Sequence, residues 1–231
     1  MKTLVISGAS SGIGLATAEA FLGNGYTVVN LSRRKCPLDA VTQINCDLSQ
    51  PGFLDTISGQ LNTLLGNAEE IVLIHNASML ENDSAVETPS QAFRTVLEVN
   101  LVAPNTLNYY MIPLMKPGSS VIYVGSTLSE KAVPGSFSYV TTKHASVGMM
   151  RATCQDLAGR QIHTACVCPG FTDTEMLRQH VPSEAMDAVA GMSAFGRLIT
   201  PQEIAETLHW AATHPVVNGS VIHANLGQVE N

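Results

Sequence analysis

Tyr139 and Lys143 stand four residues apart, so one helical turn brings their side chains onto the same face. That pairing has a chemical use. A free phenol titrates near pH 10, and a tyrosine exchanges protons at neutral pH only where its phenolate is stabilised, as an adjacent ammonium does. Ser126 lies directly after an apolar run at 120–125, where its hydroxyl reaches the same cleft as Tyr139. A phenol and a hydroxyl aimed at one oxygen would stabilise the negative charge that develops when a carbonyl becomes an alkoxide.

A second group of residues suits an anion. Leu4-Val-Ile-Ser-Gly-Ala-Ser-Ser-Gly-Ile-Gly-Leu-Ala16 places Gly8, Gly12 and Gly14 between an apolar run and a helical segment. Glycine permits positive φ and a close backbone approach, and the free N–H groups of a helix start attract phosphate. The turn suits a pyrophosphate, although its spacing is G-x3-G-x-G rather than the G-x-G-x-x-G dinucleotide fingerprint.

These residues need elements to position them. Short apolar, β-branched runs predict strands at Thr3–Ser7, Thr27–Leu31, Ala40–Asn45, Ile71–His75, Ser120–Gly125, His163–Cys168 and Ser220–His223. Helical periods fall near 12–23, 52–65, 90–115, 137–158 and 201–213, and Pro51, Pro89 and Pro201 sit where first helical turns would begin. The alternation predicts an α/β chain, a doubly wound parallel sheet of seven strands with helices on both faces, and ligands beyond the carboxyl ends of the strands. No repeat or linker interrupts it, so residues 1–231 read as one domain, with a cofactor half to about 125 and a catalytic and substrate half from 126.

Composition narrows the function. The 231 residues are 45% hydrophobic and only 13% charged, the reverse of a disordered chain. With 12 basic against 19 acidic side chains, the net charge of −7 argues against nucleic acid, and the one basic run, Arg33-Arg34-Lys35, is enough for a single phosphate. No apolar stretch is long enough for a membrane helix, and the N-terminus has no signal pattern. The five cysteines, Cys36, Cys46, Cys154, Cys166 and Cys168, follow no zinc spacing and fit reduced thiols in the cytoplasm. No metal is expected. Cys166 and Cys168 read as small core side chains, and His75 as a hydrogen-bonded structural histidine.

Over essentially its whole length the sequence resembles the short-chain dehydrogenase/reductase family. Ser7-Gly-Ala-Ser-Ser-Gly-Ile-Gly14 is similar to that family's cofactor loop, with Ser7 where Thr is commoner. His75-Asn76-Ala77-Ser78 stands where Asn-Asn-Ala-Gly is usual, and Asn100 opens an Asn-Leu-Val segment. Ser126, Tyr139 and Lys143 match the catalytic positions. Pro169-Gly170, Gly196-Arg197-Leu198 and Pro201-Gln-Glu-Ile-Ala205 continue the match, nearest in pattern to 3-oxoacyl-carrier-protein reductase-like members. Asn225-Leu226-Gly227-Gln228 departs from the frequent Asp-Gly-Gly.

The resemblance implies a Rossmann fold and hydride transfer between a nicotinamide cofactor and a carbonyl or secondary alcohol. Tyr139 would be the general acid and base, Ser126 its partner donor, Lys143 the charge beside it and a holder of the nicotinamide ribose, and Asn100 part of a water-linked proton relay. Gly8, Ser10, Ser11, Gly12, Ile13 and Gly14 would carry the pyrophosphate, Asp47 and Leu48 the adenine edge, and Asn76 and Ala77 the segment after the fourth strand. Pro169, Gly170, Thr172 and Thr174 would meet the nicotinamide carboxamide. The second strand ends Asn30-Leu-Ser-Arg-Arg34 without an acid for the ribose 2′-hydroxyl. Ser32, Arg33 and Arg34 suit a 2′-phosphate instead, so NADP(H) is expected over NAD(H). Leu177 to Phe195 is expected to be a substrate lid, and Phe171, Met176, Met186, Met192 and Phe195 suggest a partly apolar pocket. The implied assembly is a homotetramer or homodimer. A second reading, a non-catalytic NADP(H)-binding sensor or scaffold, is weakened because every catalytic position is filled.

Overall fold

The computed structural model describes residues 1–228. Strands β1 (Lys2–Ser7), β2 (Thr27–Ser32), β3 (Thr42–Asn45), β4 (Glu70–His75), β5 (Ser120–Val124), β6 (His163–Pro169) and β7 (Ser220–Ala224) form one sheet, in the order β3-β2-β1-β4-β5-β6-β7. Every pairing is parallel. The order reverses between β1 and β4, and the strand ends there open the crevice where ligands of such sheets bind.

Successive strand side chains leave opposite faces, so a strand apolar throughout requires cover on both sides. Val5, Val29, Leu73, Val121 and Tyr123 join one core with α2 (Phe53–Leu65), α4 (Ala103–Met111) and α5 (Phe137–Asp156). Their neighbours Leu4, Ile6, Val28, Val72 and Ile122 join a second core with α1 (Gly12–Gly23) and α8 (Pro201–Thr213). Side chains such as Phe21, Ile57 and Leu61 are fully buried, each worth about 1.5–3 kcal/mol of transfer free energy. No helix among the described residues is long and apolar enough to cross a membrane.

The strands and most helices fall where the sequence places them, and the differences have local causes. The third strand starts at Thr42 because Leu38 to Val41 close a turn, with the Val41 N–H on the Leu38 carbonyl. Pro201 is the first residue of α8, where Thr200 and Glu203 form a reciprocal capping box. Pro51 and Pro89 lie outside their helices, which begin at Phe53 and at Ser90. The expected long helix at 90–115 is broken: α3 (Ser90–Leu97) passes into a π-helical turn at Glu98–Val102, then into α4 and a 3-10 turn at Ile112–Leu114. Pro104 explains the break. It has no N–H for the carbonyl four residues earlier, which belongs to Asn100.

One polar residue lies in the middle of the apolar β2. Asn30 is fully buried and takes the Ala9 N–H on its Oδ1 at 2.8 Å, while its Nδ2 donates to Ser32 Oγ and Gln43 Oε1 at 2.8 and 2.7 Å. Asn30→Ala leaves the buried Ala9 N–H without a partner and removes the bonds to Ser32 and Gln43. The expected result is a loss of about 2–3 kcal/mol in denaturant unfolding with an unchanged m-value; a loss below 0.5 kcal/mol would remove Asn30 as the anchor of the glycine turn.

Candidate active site

A cleft of about 970 Å³ runs along the carboxyl ends of the strands. It brings together every residue the sequence nominates for catalysis or cofactor binding except Asn100. Gly8, Ser10, Ser11, Gly12, Ile13 and Gly14 form one wall, and Asp47, Leu48, Asn76 and Ala77 continue it. Gly14 admits no side chain, because a Cβ there would lie 2.1 Å from the Gly8 carbonyl oxygen. Gly8 and Gly12 have φ of 76° and 54°, the left-handed region that glycine enters freely.

The turn is fastened from below by neutral groups. Asn76 donates through Nδ2 to the carbonyls of Ser7 and Gly8, both at 3.0 Å, so its side chain shapes the turn. Ser7 Oγ accepts the backbone N–H groups of Asn76 and Ala77 at 3.1 and 3.0 Å, a task a serine performs where threonine is commoner in the resembled family. Asp47 accepts the amide and hydroxyl of Ser49 in a tight turn. Partial burial opposes its ionisation, but Ser49 and the charge of Arg33 outweigh this and lower its pKa.

At the other end, α5 carries Tyr139 and Lys143 on one face. Lys143 is buried, its Nζ donates to the Val124 carbonyl at 2.7 Å, and it stands 5.2 Å from the centroid of the Tyr139 ring. Ser126 follows β5 as the cap of a 3-10 turn at Thr127–Ser129. Its Oγ accepts the Leu128 N–H at 3.1 Å, and the hydroxyl proton is left to be donated elsewhere. Gly125 holds this turn close to the sheet, since a Cβ would press on the sulfurs of Cys168 and Cys166 at 2.7 and 2.8 Å. Both thiols are buried in the sheet core, as read from sequence, and Cys36 is buried as well.

Asn100 lies outside the cleft and works on its scaffold. Its Oδ1 accepts the Met79 N–H at 2.7 Å, and its Nδ2 donates to the Met79 carbonyl and to Thr142 Oγ1, both at 2.9 Å. Thr142 in turn donates to the Tyr139 carbonyl at 2.9 Å. Asp83 fixes the start of the same helix, accepting the Ser138 N–H at 3.0 Å where Ser136 makes no side-chain cap. Sequence reading missed Asn30, Thr142 and Asp83. Only Asn30 carried a signal, a lone polar residue in an apolar strand.

The two short helices α6 (Glu175–His180) and α7 (Met186–Gly191) occupy the expected lid. Thr174 caps α6, accepting the Leu177 N–H at 3.2 Å, and Thr172 is buried with its hydroxyl on the Gly170 carbonyl. Phe171, Met176 and Met192 line the cleft, joined by Met79, Leu80, Leu128 and Val133 from the opposite wall. Met186 does not line it, and Phe195 is 71% exposed, so these two do not form the pocket. The departing segment at 225–228 packs near the cleft: Gly170 would meet Asn225 at 3.0 Å if it carried a Cβ, and Leu226 takes φ of 51°. Arg34 reaches Ser10, Ser11 and Glu175, whereas Arg33 lies exposed beside it. Among the described residues, no group of three or more His, Cys, Asp or Glu side chains could hold a metal ion.

His75 is the buried end of a hydrogen-bond chain. Its Nε2 meets Asn108 Oδ1 at 2.8 Å, Asn108 Nδ2 donates to Tyr123 Oη at 2.7 Å, and Tyr123 Oη meets Thr153 Oγ1 at 3.2 Å. Because an amide oxygen only accepts, His75 carries its proton on Nε2.

Comparisons with known proteins agree with this architecture. A family model described as enoyl-(acyl carrier protein) reductase matches residues 8–228. The chain is 28% identical to a 3-oxoacyl-acyl-carrier-protein reductase of Thermotoga maritima, covering 99% of this chain and 98% of that protein. It is 26% identical to carbonyl reductase family member 4 of Xenopus laevis, over 96% and 95% of the two chains. The ligand-free structure of Thermoplasma acidophilum aldohexose dehydrogenase superposes with a TM-score of 0.90 at 23% identity, covering 98% and 93%.

The burial of His75 gives a pH prediction. Loss of solvation, opposed by the Asn108 hydrogen bond, lowers its pKa to about 4 from an ordinary 6.5. The unfolded chain therefore binds a proton that the folded chain refuses, and stability is whole above about pH 6.5 and falls towards pH 4, by about 3 kcal/mol from this group. His163, lowered by burial in the same direction, adds to the fall, while Glu203, lowered to about 2 chiefly by its hydrogen bond from Arg197, acts only below about pH 4.5. Urea unfolding of His75→Gln should show a flatter loss between pH 6.5 and 4 than the parent chain; parallel curves would refute the assignment.

Proposed function

The chain belongs to the short-chain dehydrogenase/reductase family, and on that premise we propose that it is an NADP(H)-dependent oxidoreductase acting on a carbonyl or secondary alcohol. The observation that carries the reading is the buried Lys143 ammonium, 5.2 Å from the Tyr139 ring centroid in the same cleft as the Ser126 hydroxyl. The 3-oxoacyl-acyl-carrier-protein reductase and the carbonyl reductase among its relatives support a ketone-reducing role.

The residues present fit a nicotinamide dinucleotide. Gly8 and Gly12 turn the backbone with positive φ in the cleft wall, and no acid stands at the end of β2. Ser78 Oγ and Gln228 Oε1, on residues that line the cleft, are buried without a partner among the described residues, as expected of groups awaiting a polar ligand. In this reading Gly8 to Gly14 hold the pyrophosphate, Ser32, Arg33 and Arg34 the 2′-phosphate, Asp47 and Leu48 the adenine, and Asn76 and Ala77 the adjoining ribose. Pro169, Gly170, Thr172 and Thr174 hold the carboxamide end. The division into a cofactor half to about residue 125 and a catalytic half after it follows the same reading. Bound NADP(H) supplies the hydride.

The rest is done by the chain itself. Tyr139 donates its phenolic proton to the substrate oxygen as negative charge grows there, and Ser126 donates a hydrogen bond to the same atom. Lys143 sets a fixed positive charge beside the phenolate that remains. Asn100 serves by positioning, since its side chain is committed to Met79 and Thr142; a water-linked relay would run through its backbone carbonyl, which Pro104 leaves without the ordinary helical donor. Phe171, Met176, Met192 and Val133 make the substrate end partly apolar. A role as a non-catalytic cofactor sensor remains the second reading, favoured by no separate feature of the site. Exposed Val102 and Tyr109 on the α4 side support pairing into a homodimer or homotetramer, which light scattering would measure.

Two measurements test the proposal. Tyr139→Phe should lower kcat by about 10²–10⁴-fold with ketone substrates while the dissociation constant for NADPH stays within twofold; near-parental turnover would remove Tyr139 as the acid. In the parent enzyme kcat/KM should be at least tenfold higher with NADPH than with NADH, and the opposite order would refute the cofactor assignment.

A further inference from the structure

We infer that Glu175 is a built-in competitor for the cofactor's 2′-phosphate, holding Arg34 until that phosphate takes its place and thereby linking phosphate recognition to the lid. The inference rests on the NADP(H) reading above. Arg34 donates from Nη2 to Glu175 Oε2 at 2.8 Å and from Nη1 to Oε1 at 3.4 Å. The same guanidinium donates from Nε to Ser10 Oγ at 3.2 Å and from Nη2 to Ser11 Oγ at 2.6 Å. It is thus already assembled with the hydroxyls of the glycine turn, and a carboxylate fills its fork. A guanidinium fork accepts a carboxylate or a phosphate with the same geometry, so the two anions exclude each other at Arg34.

The exchange is easy in one direction. Both side chains of the pair are about half exposed, at 57% and 51%, and ion pairs so placed are weak. A phosphate dianion carries more charge and more acceptor oxygens than one carboxylate and outcompetes it at the guanidinium, and once it is bound, Glu175 is left beside a like charge.

The displaced residue is the first of α6. It follows Thr174, the cap of that helix, whose methyl would lie 3.2 Å from a Cβ at Gly12. Further along α6, Met176, Leu177 and His180 line the substrate end of the cleft, and His180 Nε2 meets the Leu80 carbonyl at 3.0 Å. The lid helix is therefore tied at its front to the phosphate end through Arg34 and at its rear to the loop after β4. Displacement of Glu175 releases the front tie alone. A cofactor without the 2′-phosphate leaves that tie in place.

The test uses Glu175→Gln, which keeps the shape and removes the charge at an exposed position, and two fragments, 2′,5′-ADP and 5′-ADP. The dissociation constant of NADPH, from titration of its fluorescence, should fall three- to tenfold in the variant, and that of NADH should change less than twofold. In the parent chain, hydrogen exchange over residues 175–180 should quicken with 2′,5′-ADP and stay unchanged with 5′-ADP. In the variant it should already be fast and respond to neither. Equal tightening of NADPH and NADH would mean general repulsion at the pyrophosphate and would overturn the inference, as would weaker NADPH binding or exchange at 175–180 that ignores 2′,5′-ADP. A parent chain that prefers NADPH but shows none of these effects defeats this inference alone, whereas one that binds NADH more tightly defeats the NADP(H) reading and this inference with it.

Discussion

A single buried cation sets the position of the candidate catalytic group. Lys143 is almost completely removed from water, and a lone ammonium in such a place is tolerable only if it is hydrogen-bonded. The Val124 carbonyl at the end of β5 provides that bond. Because the bond ties α5 to the last residue of a strand, it also fixes the height at which Tyr139, one helical turn earlier, stands over the sheet. Ser126 is two residues beyond Val124 on the same chain. One hydrogen bond therefore relates the acid, its charged neighbour and the second donor to a common strand end, and the surrounding packing has to keep that strand end still.

Neutral amides supply much of that stillness. In a chain with only 13% charged residues, four buried or half-buried asparagines sit at or below the cleft floor. Asn30 and Asn76 fasten the glycine turn to β2 and to the end of β4, Asn100 fastens the loop at Met79 to α5, and Asn108 joins His75 to Tyr123. An amide can donate and accept at once, so each joins two segments without burying a charge. Breaking one leaves unpaired polar groups in a low-dielectric interior, which is why these positions belong to the framework of the site even where they do not face it.

The fold was legible because its strands are apolar on both faces and its helices carry recognisable ends, as at Thr200-Pro201. The candidate site was legible where chemistry restricts residue type: glycines in the first turn, and Tyr139 and Lys143 at helical spacing, which the fold brings to one cleft. It was less legible where its framework depends on long-range partners. Asp83 reaches the start of α5 from 55 residues earlier, and Glu175 meets Arg34 from 141 residues away. No local pattern announces such contacts. The π turn at Asn100 is an intermediate case, since Pro104 was visible in the sequence but its effect on a carbonyl four residues back appears only once the helix is known to continue through it.

The two ends of the cleft are built to different tolerances, and that difference follows from how they are held. The glycine turn is fixed by the buried bond of the Ala9 N–H to Asn30 and by the part-buried bonds from Asn76, and cannot move without breaking them. The lid side is held, besides the His180 bond to the Leu80 carbonyl, by exposed ion pairs: Arg34 with Glu175, Arg178 with Asp173, and Arg197 with Glu203, which also caps α8. Such pairs are weak and are screened by salt. Opening is therefore easiest at α6 and α7, where a substrate would enter on the proposed reading, and hardest at the glycine turn. A rigid anion site facing a loosely latched wall lets a charged ligand move the wall while leaving the site intact, because the ligand trades one exposed ion pair for another and disturbs none of the buried amides.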